Sequence, residues 1–272
     1  MLELDTTTYR MHTRIVTETV VIHLQGWNQR TVVVDDVSVA GTHEPFVEHV
    51  SFTAPPGAVT VVPTDPGIPQ VALALAIGGR VELLRGRVRI GAGADLADLQ
   101  LRTRLVDVAD VTAPEDTIAV KAVVQEELAL AEKPAGRAAV ASFLAAHELS
   151  DRAGHPWEQL PAGVRTSLLL ELGALHPMVR VLVLAGPERH GGDHTVWFET
   201  CRRLAQTGLA VVVLTTAATA ASLPADLGGA EDPVVASVGA PDAAPEPDGG
   251  RDPDPASDAA AHAPNLPKEP SA

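Results

Sequence analysis

Two runs near the start of the chain switch between apolar and polar residues, and three later runs are apolar throughout. TVVVDDVSVAG, from Thr31, and PFVEHVSFTAPPG, from Pro45, have the period of strands with one buried face. The second run ends in the turn Pro55-Pro56-Gly57. Val59 to Val62, Val179 to Leu184 (VRVLVL) and Leu209 to Leu214 (LAVVVL) lack polar alternation, as do strands covered on both faces of a parallel sheet. Further short β segments are predicted over Val81 to Leu84 and Arg87 to Ile90, separated by Gly86, and over Leu101 to Val111. Helical spacing marks Pro114 to Leu149, through Val120, Val123, Val124, Leu128, Val140, Phe143, Leu144 and His147. Helices are also predicted over Arg165 to Leu175, between Pro161-Ala162-Gly163 and His176-Pro177, and over His194 to Thr207, closed by Gly208.

The stretch Val59 to Arg80 combines three of these signals. An apolar strand runs into a tight turn of Pro63, Thr64, Asp65, Pro66 and Gly67, followed by an Ala/Leu-rich helix that stops at Gly78-Gly79. Strand, turn and helix in that order form the frame of a phosphate-binding loop, where backbone N–H groups and a helix N-terminus face an anion.

In that order the elements from about 31 to 217 resemble the ATP-binding cassette (ABC) ATPases, the nucleotide-binding subunits of ABC transporters. The likeness rests on the antiparallel start, the loop frame and the hairpin LLRGRVRIGA, followed by a helical insertion from about Pro114 to Leu149. It continues through LPAGVRTSLLLELGALHP as a signature segment, VRVLVLAGPERHGGD as Walker B strand and D-loop, and LAVVVLTTA as the strand leading to the switch histidine. It implies an α/β, P-loop NTPase-like cassette with an antiparallel β subdomain, a helix-flanked parallel-sheet core and a helical subdomain over about 112–175. The expected division is an N-terminal extension over 1–30, the nucleotide-binding domain over 31–220 and a tail over 221–272. Val16 to Leu24 is a β-branched run compatible with a strand or an extension.

Carried over residue by residue, the resemblance places the loop pattern GxxGxGK[ST] on Thr64, Asp65, Pro66, Gly67, Ile68, Pro69, Gln70 and Val71, where only Gly67 matches. Gln70 stands for the phosphate-binding lysine and Val71 for the hydroxyl that holds Mg²⁺. Pro69 stands for a glycine and supplies no N–H. The signature falls on Leu160 to Arg165, with Pro161 for the serine and with Gly163 and Arg165 retained. Ala185-Gly186-Pro187 stands where Asp-Glu-Pro is expected, Ala217 at the switch histidine, and Asp107 or Asp110 near the expected glutamine. The aromatic that would stack on adenine is absent from Val39 to Gly41, while Asp193 matches the D-loop aspartate and also suits a helix N-cap.

The expectation is a catalytically degenerate subunit with no catalytic residue of its own and no high-affinity cofactor. Its partners would be another cassette, as homo- or heterodimer, or membrane-spanning transporter subunits. Two other readings stand beside it: a weakly active ATPase using ATP and Mg²⁺ with non-standard ligands such as Asp65 or Glu188, and a non-enzymatic scaffold. Glu188 reads first as a solvated loop carboxylate, and His190 and His194 as surface histidines without a third metal ligand. Cys201 reads as an inert core thiol, and Trp197 and Phe198 as core or interface anchors.

Composition narrows the partners. A formal net charge of −15 opposes binding to nucleic acid or anionic lipid, so any membrane contact would come through partners. Much of that charge is carried by ten acidic side chains from Asp226 to Glu269, opposed by Arg251 and Lys268. The same stretch holds ten prolines from Pro224 to Pro270, a composition that predicts disorder beyond about Ala217. The sole cysteine excludes an intrachain disulfide, and MLELDTTTYRMHTRIV has neither the charged start nor the apolar run of a signal peptide. A cytoplasmic setting, peripheral at the inner face of the membrane, is expected.

Overall fold

In the computed structural model, which describes residues 30–93, 95–224 and 234–235, two sheets and seven helices follow from these patterns. Strands β1 (Val32–Val39), β2 (Val47–Ala54) and β4 (Arg85–Ile90) form an antiparallel sheet in the order β2-β1-β4. Strands β3 (Val59–Pro63), β5 (Thr103–Val106), β6 (Val181–Ala185), β7 (Ala210–Thr215) and β8 (Val234–Val235) form a parallel sheet in the order β5-β6-β7-β3-β8. The helices are α1 (Ile68–Ile77), α2 (Leu96–Arg102), α3 (Val120–Leu130), α4 (Arg137–Ala146), α5 (Ala162–Gly173), α6 (His194–Gln206) and α7 (Ala217–Ser222).

The parallel sheet divides the interior in two, because successive side chains of a strand point to opposite faces. Val181, Val183, Ala210, Val212 and Leu214 join α1 and the antiparallel sheet in one apolar cluster. Leu182, Leu184, Val211 and Val213 join α3, α4, α5 and α6 in the other. This explains why β6 and β7 have no polar alternation: each face has its own apolar partner. Trp157, on a 3₁₀ turn (Trp157–Gln159) between α4 and α5, is buried within the second cluster. Glu171 of α5 takes hydrogen bonds from His147, just after α4, and from Arg203 of α6, tying the helical part together. Cys201, Trp197 and Phe198 are buried in α6, as expected, and burial pushes the Cys201 thiol up from its ordinary value.

Several boundaries differ from expectation. Val81 to Leu84 is not a strand; Leu84 is exposed, and Gly86 lies inside β4 opposite the irregularity of β1 between Asp35 and Ser38. Leu101 and Arg102 end a helix capped at its start by Asp95, so the strand begins at Thr103 and stops before the left-handed turn residues Asp107 and Asp110. Disorder from Ala217 is overturned locally: Thr216 caps α7, Leu223 is buried in the second cluster, and Val234 and Val235 pair with Thr60 and Val61 of β3. Leu223 supplies an apolar contact there that the surrounding composition does not signal. The expected extension over 1–30, including Val16 to Leu24, and most of the tail lie outside the described residues.

Because the helical part and the parallel sheet share one core, Trp157→Ala is expected to lower stability by about 3–5 kcal/mol. Far-UV circular dichroism and tryptophan fluorescence should then report one coincident urea transition. Two separated transitions in the wild-type chain would contradict a shared core.

Candidate functional site

The carboxyl ends of β3, β5, β6 and β7 lie side by side, the position where open parallel sheets place ligands. The loop after β3 is fixed by the Thr64 N–H, which donates to the Thr215 carbonyl at 2.8 Å, and by Gly67 in the left-handed region at φ 84°. Helix α1 begins at Ile68 with Pro69 in its first turn, where a missing N–H costs no helical bond. The expected frame is therefore present.

Gln70 turns into this frame. It is only 5% exposed; its side-chain amide donates to Glu188 Oε1 at 2.7 Å, and its carbonyl oxygen accepts the Gly67 N–H at 3.3 Å. Glu188 also accepts from the Thr215 hydroxyl at 2.7 Å and from the Thr216 N–H at 3.1 Å. Glu188 is thus half-buried and bonded to both neighbouring segments, which corrects its reading as a solvated loop carboxylate. Gly186 permits the arrangement: a Cβ there would lie 2.7 Å from Gln70 Oε1. Val71, at the hydroxyl position, packs against the first apolar cluster.

A second ion cluster lies beside it. Asp107, 3% exposed after β5, accepts from Arg189 Nη2 at 2.6 Å and pairs with His190 Nε2 at 3.0 Å. Arg189 also donates to the carbonyls of Ala185 and Gly186 at 2.8 and 3.0 Å. His190 is therefore a partner of a buried carboxylate, not a free surface histidine, while His194 points to Ser222 at 3.4 Å. Asp110 lies in the turn after β5, and no interaction brings it into this cluster.

The other candidate residues stand apart from the loop. Gly163 lets α5 approach α6: a Cβ there would lie 2.8 Å from that of Val196. Arg165 pairs with Asp116 at 3.3 Å. Asp193 caps α6, accepting from the Thr195 N–H at 2.9 Å and its hydroxyl at 2.7 Å, bonds that hold its carboxyl below the ordinary value. Thr64, Asp65, Pro66 and Pro69 line a cleft of about 320 Å³ with Phe46, Glu48, Thr216 and Ala217. Phe46 is an aromatic that the linear alignment misses. It follows the turn after β1, and its N–H donates to Val39, which brings it back beside the segment where the alignment looked for an aromatic.

Chemically, the loop presents an amide bonded to a carboxylate, with that carboxylate supplied by two further donors at the end of β7. Gln70→Ala and Glu188→Ala are each expected to destabilise the chain by about 1–3 kcal/mol, since each strands a polar partner. A double-mutant cycle in urea should give a coupling of about 0.5–3 kcal/mol between them. Additive effects would show that the bond contributes nothing.

No protein-family model matches the sequence, and no curated relative matches it either. Solved structures do match in fold. An ATP-binding subunit of an ABC transporter superposes with a TM-score of 0.50 at 17% identity, covering 70% of this chain and 81% of that one. A putative ABC transporter ATP-binding protein from Pyrococcus furiosus gives 0.52 at 16% identity, covering 68% of this chain and 91% of that one. With its antiparallel sheet, helix-flanked parallel sheet and helical insertion, the chain has the fold of an ABC transporter ATP-binding subunit.

Proposed function

We propose that this chain is a catalytically degenerate cassette subunit that works as a structural or regulatory partner without using nucleotide. Its partner would be another cassette, identical or different, or membrane-spanning transporter subunits met at the cytoplasmic face. The observation that carries the reading is the Gln70–Glu188 bond, which places an internal carboxylate against the loop where a nucleotide would bring phosphate. Entry of a phosphate chain would break the bonds from Gln70, Thr215 and Thr216 to Glu188 and set like charges together. The Thr64 and Gly67 N–H groups are engaged, and Pro66 and Pro69 have none.

Mg²⁺ finds equally little here. Val71 and Ala185 offer no oxygen-bearing side chain at the expected ligand positions, and Asp107 is occupied by Arg189 and His190. Charge-assisted contacts are worth about 1.5–3 kcal/mol each, so losing the lysine, the metal ligands and a backbone donor removes on the order of 5 kcal/mol. That moves a micromolar affinity to the millimolar range or weaker. No helix among the described residues is long and apolar enough to cross a membrane, which is consistent with meeting the membrane through partners. Ile68 at the loop and Val196 beside Gly163 are exposed apolar side chains suited to a protein contact.

Calorimetric titration of the full chain with ATP–Mg²⁺ is expected to give a Kd of about 1 mM or weaker. Gln70→Lys alone should not restore binding, because Glu188 stands ready to pair with the new ammonium group. Micromolar binding by the wild-type chain would overturn the proposal.

A further inference from the structure

A small pocket lies at the opposite end of the parallel sheet from the loop after β3. It has a volume of about 160 Å³ and lies among the start of β5, the ends of α3 and α5, and Arg80 just after α1. Arg80 donates to the carbonyls of Gly78 at 2.8 Å and of Gln100 and Thr103 at 3.2 Å, and no carboxylate among the described residues pairs with it. Arg104, the second guanidinium of the pocket, donates to Glu127 Oε2 at 2.6 Å, and Glu127 is buried. Thr103 is buried as well; it precedes Arg104 in β5, so its side chain lies on the other face of the strand, with Leu105 and the first apolar cluster.

The charges do not cancel. Two guanidinium groups face one carboxylate, and His176, which also lines the pocket, pairs with the exposed Glu132 at 3.6 Å, leaving one positive charge in a chain that is otherwise strongly acidic. Burial and the neighbouring Arg104 both lower the Arg80 value, and burial raises that of Glu127 against the pull of Arg104. A guanidinium whose neighbours are carbonyls and another cation is an incomplete oxyanion site, since its fork geometry matches a carboxylate or phosphate. Glu127 weighs against a dianion and leaves a monoanion as the matching charge. At the mouth, Leu101 and Leu130 are 48% and 53% exposed, apolar surface that hydrocarbon would cover. One water needs roughly 10–15 Å³ of such space, so the pocket has room for a molecule of several heavy atoms.

We propose that this pocket binds a small monocarboxylate with a short aliphatic chain, its carboxylate between Arg80 and Arg104. The site is independent of the loop after β3, so its success or failure does not bear on nucleotide binding.

The test is a titration of the full chain with butyrate, read by amide chemical shifts and by melting temperature, against inorganic phosphate at matched ionic strength. Butyrate should saturate, shift the amides of Thr103 and Arg104 and raise the melting temperature, while phosphate binds at least about tenfold more weakly. Arg80→Gln should weaken butyrate at least about tenfold. Non-saturating butyrate shifts, phosphate binding as tightly as butyrate, or full butyrate affinity in Arg80→Gln would each overturn the proposal.

Discussion

A carboxylate withdrawn from water must be given donors, and the ends of two strands, β3 and β7, are arranged to give them to Glu188. One comes from Gln70 at the start of α1, one from the Thr215 side chain at the end of β7, and one from the Thr216 backbone. Gly186 keeps the space through which Gln70 reaches it. These residues depend on one another: a lysine in place of Gln70 would change the charge, and a larger residue at 186 would meet the amide. Asp107 is treated the same way by Arg189 and His190, so the short turn from Pro187 to His190 fastens β5 and α1 to the end of β6. Removing one partner of such a set costs far more than the set contributes as a whole, which accounts for their occurrence together.

The scaffold itself does not rely on these groups. Its two apolar clusters are built from the alternating faces of β6 and β7, from α1 with the antiparallel sheet on one side, and from the helical part on the other. Gly163 serves the close crossing of α5 and α6, and Asp193 starts α6. Gln70, Gly163 and Asp193, which the family resemblance marks for nucleotide contact, each have a local structural duty here.

Most of this architecture was legible from periodicity. The apolar runs at Val179 to Leu184 and Leu209 to Leu214 became buried parallel strands, and the loop frame around Gly67 formed where strand, turn and helix signals met. What could not be read were contacts between residues far apart in sequence. Glu188 looks like any loop carboxylate until β3, β6 and β7 align and bring Gln70, 118 residues away, to within 2.7 Å. Phe46 was missed because the turn after β1 folds it back, and Val234 and Val235 because an apolar pair within an Ala/Pro/Asp stretch carries little periodic signal. The Leu101 strand was misjudged because Leu99 and Leu101 serve a helix whose start is set by Asp95.

The central claim is that the loop is closed by the chain's own side chains. Nuclear magnetic resonance of the Gln70 side-chain amide tests it most directly, with a non-hydrolysable ATP analogue and Mg²⁺ added to the full chain. The account predicts that the Gln70 amide protons and the Gly67 backbone amide keep their shifts and slow exchange throughout the titration. A saturable displacement of both signals at micromolar analogue would contradict it.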